Sequence, residues 1–255
     1  MKLQGSAAFV SAMLLCGGVS AATPYDYYAQ GKFDAAVAAG RALNTAEGFT
    51  TAARAELARA AMSDKPCLSC IQQAQADARA AIARDPAYPE AHVYLSGALG
   101  YEGRIIGKVE AELRGYPATA RRELDAAIAA DPDNAKAYAA RGGWNIEIVH
   151  GGGAMLARMM FGARLDDGLA DFRKAFTLAP DDPAIRYQYA LTLSGFDPQA
   201  YRGEIDDALA KAQALKARTA YETFVQDRAR QLQAALRDGD PASIAALVRK
   251  FQGYP

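Results

Sequence analysis

Three segments of this chain end alike, and that recurrence limits the fold more than any other feature. They are Ala81-Ile-Ala-Arg-Asp-Pro86, Ala127-Ile-Ala-Ala-Asp-Pro132 and Ala175-Phe-Thr-Leu-Ala-Pro180. Twelve residues before each proline stand Ala74, Ala120 and Gly168; eight before stand Ala78, Leu124 and Phe172; five before stand Ala81, Ala127 and Ala175. Steps of four and three keep these positions on one face of a helix. The small residues let a neighbouring helix come close, and the larger ones fill the remaining gap. Proline cannot continue the helix and forces a turn. A second helix starts after each turn, with His92, Tyr138 and Arg186 six residues on and Ser96, Gly142 and Ala190 ten residues on. No segment alternates with the period of a strand. Ala dominates the apolar set while Val and Ile are sparse, which favours helix because Ala loses no side-chain entropy there. The expectation is an all-α chain of stacked helix hairpins.

This small-residue helix-turn-helix pattern resembles the tetratricopeptide repeat (TPR), which implies a solenoid with a concave binding groove. The match is closest in the second helix of each pair and at the proline. In the first helix the usual large aromatic is present only as Tyr138. The expected units are a partial first repeat at about 24–45, around Gly31-Lys-Phe-Asp-Ala-Ala36, then repeats at about 49–88, 89–134, 135–182 and 183–218. Asp206 to Leu215 and Thr219 to Leu236 read as further helices. Capping helices follow to about 252, the last opened by Asp240-Pro241 as N-cap and first-turn proline. The prolines lie 46 and 48 residues apart, against about 34 in the ordinary repeat. The surplus falls at Tyr101 to Ala118 and Ile148 to Asp166 and is expected to lengthen both helices of each hairpin. Pro117 and Gly151-Gly152-Gly153 would mark the tips or kinks. The stretched form is also similar to the regulator of microtubule dynamics family. That likeness rests on Tyr101-Glu102-Gly103, Ala154-Met-Leu-Ala-Arg-Met-Met-Phe-Gly162 and Gly168-Leu-Ala-Asp-Phe-Arg-Lys-Ala175, and implies shape alone.

Residues 1–22 read as a secretory signal: Lys2, an apolar run from Ala7 to Val19, and small residues around Ala21 and Ala22 for cleavage. Export implies a periplasmic protein, and no later stretch is apolar enough to span a membrane. Cys67 and Cys70, in Cys-Leu-Ser-Cys after Pro66, are expected to form a disulfide clip at a helix start. A redox role needs a strand-helix setting, and zinc needs two more ligands, while His92 and His150 lie far away in sequence. The 29 basic residues balance 29 acidic ones without a basic cluster, which argues against nucleic acid.

No catalytic residue, metal site or cofactor is expected. His150-Gly-Gly-Gly153 lacks the Gly-x-Ser-x-Gly elbow that an esterase oxyanion loop needs, and reads as a turn. Asp166-Asp167 and Asp206-Asp207 read as helix starts that complement the dipole; Asp133-Asn134 and Asp181-Asp182 read as turns. First helices line the groove in such arrays. Their free stripe falls at Glu90, Val93 and Gly97, then Lys136, Ala139 and Gly143, then Ala184, Tyr187 and Leu191. The stripe has room for a guest and few charges, which fits an apolar peptide face or a lipid-like ligand better than a carboxylate clamp. Met155, Met159 and Phe161, with Leu156 and Met160, form a Met-rich stripe open to two readings: packing against the neighbouring long helix, or an adaptable binding surface. Two functions follow: an exported scaffold for a protein partner, or a carrier or sensor of a small apolar ligand. An open trough favours the first, an enclosed cavity the second.

Overall fold

A computed structural model describes residues 21–63 and 65–255. The expected signal segment falls almost wholly in residues 1–20, outside the described residues. The described chain forms fourteen α-helices. They are α1 (Pro24–Ala29), α2 (Phe33–Leu43), α3 (Ala46–Met62), α4 (Leu68–Arg84), α5 (Pro89–Ile106), α6 (Lys108–Leu113) and α7 (Tyr116–Ala130). Then come α8 (Ala135–Gly152), α9 (Ala154–Phe161), α10 (Leu165–Leu178), α11 (Pro183–Phe196), α12 (Arg202–Ala214), α13 (Ala220–Asp238) and α14 (Pro241–Gln252).

Their starts follow from local chemistry. The side chains of Thr45, Asn134, Asp182, Thr219 and Asp240 accept hydrogen bonds from backbone amides of the first turns of α3, α8, α11, α13 and α14. Pro89, Pro117, Pro183 and Pro241 sit in first turns, where no amide is needed. Asp166 and Asp167 lie in the first turn of α10 as expected. Asp206 and Asp207 do not start a helix: α12 begins at Arg202, and the two carboxylates pair one turn along with Arg202 (2.7 Å) and Lys211 (2.8 Å).

Consecutive helices pack as antiparallel pairs, α5 with α7 and α8 with α10 across the insertions. The proline-offset residues are buried at these contacts; Ala74, Ala78, Ala81, Leu124, Ala127, Phe172 and Ala175 all sit in the core. Smallness is obligatory at two crossings. A Cβ on Gly168 would lie 2.9 Å from the carbonyl oxygen of Gly142, and one on Gly142 equally close to that of Gly168. Gly40 and Gly48 face each other in the same way between α2 and α3.

The insertions depart from expectation. Only the first helix of each hairpin is long, α5 and α8 having 18 residues each, while α7 and α10 have 15 and 14. The rest of each insertion forms a separate short helix, α6 or α9. The cause is glycine: Gly107 (φ 89°) and Gly153 (φ 76°) adopt left-handed backbone that ends the long helix and redirects the chain. The Lys108 ammonium donates to the Gly151 carbonyl, tying the two insertions together.

First helices stack in the order α3, α5, α8, α11, α13 along the concave side. The stack then closes. α13 packs back on α1 and α3, and a Cβ on Gly31 would be 3.0 Å from that of Ala220. At the other edge α14 packs on α11, and the Gly253 backbone lies against the Tyr101 ring.

Candidate functional site: a walled cavity on the concave face

Closure by α13 and α14 turns the groove into a cavity of about 330 Å³. Of the groove residues expected from sequence, Val93, Gly97, Lys136, Gly143, Ala184, Tyr187 and Leu191 line it. Glu90 and Ala139 do not. Glu90 stands half-buried in the first turn of α5, and Ala139 is turned into the helix stack beside the α8–α11 core.

Sequence reasoning missed an aromatic and cationic part of the wall. α5 contributes Tyr94, Tyr101 and Arg104; α3 brings Arg54; α13 brings Tyr221, Phe224 and Arg228. Tyr94, Gly97, Tyr101 and Arg104 recur at steps of three and four, so this flank of the α5 stripe was readable. Tyr221, Phe224 and Arg228 form such a stripe too, yet only closure of the array puts it opposite α5.

The cations are held by aromatic faces. The Arg54 guanidinium lies 4.2 Å from the Tyr28 ring centre and 5.3 Å from that of Tyr25. Arg228 lies between Phe224 (4.8 Å) and Phe251 (4.0 Å), and its Nη1 is buried without a hydrogen-bond partner. Arg104 donates from Nη2 to Glu147 at 2.6 Å. Trp144 donates from Nε1 to the Pro117 carbonyl at 3.0 Å. Burial pushes the phenol of Tyr28 up to about 12, and those of Tyr101, Tyr187 and Tyr221 upward as well, so these hydroxyls stay neutral.

The Met-rich stripe lies elsewhere. Met155 is 83% exposed and Met159 72%, with Met160 and Leu156 also exposed, so these side chains do not pack against the neighbouring long helix. Phe161 does: it is half-buried and meets Trp144 edge-on at 6.5 Å. Cys67 and Cys70 are joined at the start of α4, their Cα atoms 5.3 Å apart, with no strand before them among the described residues. His92 is fixed between the Glu123 carboxylate (2.7 Å) and the Pro86 carbonyl (2.9 Å). His150, Gly151 and Gly152 form the last turn of α8 and only Gly153 turns the chain, so the expected turn is confined to its final glycine.

The class of fold is that of the tetratricopeptide repeat. A crystal structure of a thermophilic TPR protein from Thermus thermophilus superposes with a TM-score of 0.50 at 24% identity, covering 88% of this chain and 94% of that one. No family model and no curated protein matches this chain. The likeness is to a TPR protein, and nothing in it supports the regulator of microtubule dynamics family specifically. No described helix is long and apolar enough to cross a membrane.

Proposed function

We propose that this protein is an exported, non-catalytic interaction scaffold of the periplasm that holds its partner in the concave cavity. The observation that carries this reading is the shape of the concave face. There α13 and α14 fold over the groove and border about 330 Å³ of space between aromatic walls. Solenoids of stacked helix pairs use their concave surfaces for binding. A side chain or chain end projecting from a protein partner would fill such a space.

One observation favours the second reading, a small apolar ligand: the cavity is walled, and its volume lies at the lower end of small-molecule sites. Gly97 supplies a test common to both. A Cβ there would meet only Leu57, at 3.8 Å, so Gly97→Phe directs its ring into the cavity. A photo-crosslinking residue at Gln188, on the cavity wall, is then introduced with and without that change. A discrete protein adduct from living cells, lost with Gly97→Phe, supports the scaffold. An adduct that survives the filled cavity contradicts it. Export is checked by the N-terminal mass of the envelope form; a chain still carrying Met1 in the cytoplasmic fraction alone would remove that part of the proposal.

A further inference from the structure

We propose that the cavity takes an anionic amphiphile, a single carboxylate or phosphate group on an apolar body, with Arg54 and Arg228 gripping the charge; this rests on the small-ligand reading above. Every carboxylate on the wall is already engaged. Glu147 is held by Arg104, Asp182 caps the amides of Ala184 and Ile185, and Glu222 accepts from the Arg218 amide at 2.5 Å. Of the wall's cations, Arg104 is matched by Glu147, while Arg54 and Arg228 are not matched in the same way. The neighbours that act on Arg54 are tyrosines, and Arg228 is sandwiched by phenylalanines with one amino group orphaned. Lys136 adds a fourth positive charge to the wall, beside Arg54, Arg104 and Arg228. Arg54 and Arg228 are half-buried; aromatic faces stabilise a guanidinium only in part, and a counter-charge gains most where water is partly excluded. An anion in the cavity supplies what is missing, and the planar fork of arginine suits the two oxygens of a carboxylate or phosphate. Neutral phenols add donors without repelling an anion. Leu57, Val93 and Leu191 supply an apolar stretch of the wall that suits an acyl or aromatic body.

The test is calorimetric titration of the full chain with decanoate, decyl phosphate and 1-decanol, all below micelle-forming concentrations. Decanoate, decyl phosphate or both are expected to bind about tenfold or more tightly than decanol, the worth of one charge-assisted hydrogen bond. Whichever is tighter tells a fatty-acid-like source from a phosphorylated one. The double variant Arg54→Gln and Arg228→Gln should lose that preference and keep its decanol affinity. Decanol binding as tightly as the anions overturns the anion site and leaves a neutral ligand cavity. Failure of all three to bind overturns the small-ligand reading with it. The comparison among ligands on the unaltered chain decides the matter even where the double variant does not fold.

Discussion

The two halves of the solenoid are held together differently. From α1 to α7 the buried apolar residues are mostly alanines in small separate clusters, such as Ala36, Ala52, Ala55 and Ala58, or Ala53, Ala78 and Ala120 beside Leu95 and Leu99. Threaded between them are buried polar groups. Arg41 bridges Asp77 (2.7 Å) and Glu56 (3.6 Å), Arg59 joins Glu56 to Asp34, and Gln72 and Gln75 hold Glu102. From α8 onward one continuous cluster runs through Phe172, Tyr189, Leu193, Leu209, Leu232 and Phe251. The two modes of packing meet at the cavity wall, to which both halves bring arginines and tyrosines. Close backbone approach and paired charges set helix positions in the first half, while bulk in the second half anchors the helices that fold back to close the groove.

The largest effect is expected at the bulky end. Leu232, fully buried in α13, should cost about 2–5 kcal/mol as Leu232→Ala, measured by denaturant unfolding. A cost below about 1 kcal/mol would mean that the large cluster does not anchor α13. Next comes Arg41→Met, which strands Asp77, leaves Glu56 to Arg59 alone and should cost about 3 kcal/mol, at the low end for a broken buried pair because Arg41 is partly exposed. That deficit has a pH signature. Burial holds the Glu56 carboxyl above its ordinary value despite Arg59 and Arg41. A carboxyl with a raised folded value binds its proton more tightly when folded, so its ionisation costs stability as pH rises through that window and the cost is relieved as pH falls. The gap between Arg41→Met and the unaltered chain should therefore narrow as pH falls from neutrality toward the ordinary carboxylate range; a widening gap contradicts the burial argument.

Smaller effects sharpen the contrast. Ala120→Leu overpacks the alanine interface beside Leu95 and Leu99 and should cost about 1–3 kcal/mol; no cost would mean the repeat register is wrong. Replacing Cys67 and Cys70 together by Ser opens only a very short loop, so the loss should be about 2 kcal/mol at most, with binding intact. Met159→Glu should change stability by no more than about 0.5 kcal/mol, because that side chain is 72% exposed. A melt lowered by tens of degrees would show it to be core.

How much of this was legible follows from range. Gly168, Phe172 and Ala175 were placed by counting from a proline, because helical periodicity is local, and they lie at the contacts expected. Val93, Gly97, Gly143 and Tyr187 reach the cavity by the same logic. Ala139 does not, since neighbouring stripe positions on one helix differ in direction and the tilt of α8 decides which of them packs. Arg54 lies in α3, whose register no repeat proline marks as Pro86 or Pro132 marks theirs. Arg228 and Tyr221 face the groove only because α13 returns to α1 and α3, a long-range event that no local spacing encodes. The break at Gly153 falls in the glycine run expected to mark a tip or kink, whereas nothing local marks Gly107, and glycine permits a turn without dictating a separate helix after it.

That return of α13 is the central claim, and a crosslink tests it most directly. Gly31 and Ala220 face each other across the closure, with a Gly31 Cβ 3.0 Å from that of Ala220, close enough for a disulfide despite the strain of a side chain at φ 76°. The full chain carrying Gly31→Cys and Ala220→Cys is oxidised mildly and digested for mass spectrometry. A closed groove predicts a dominant intramolecular link between positions 31 and 220 at all protein concentrations. Two alkylatable thiols at those positions in the folded monomer would mean that the groove stands open and the cavity is not walled.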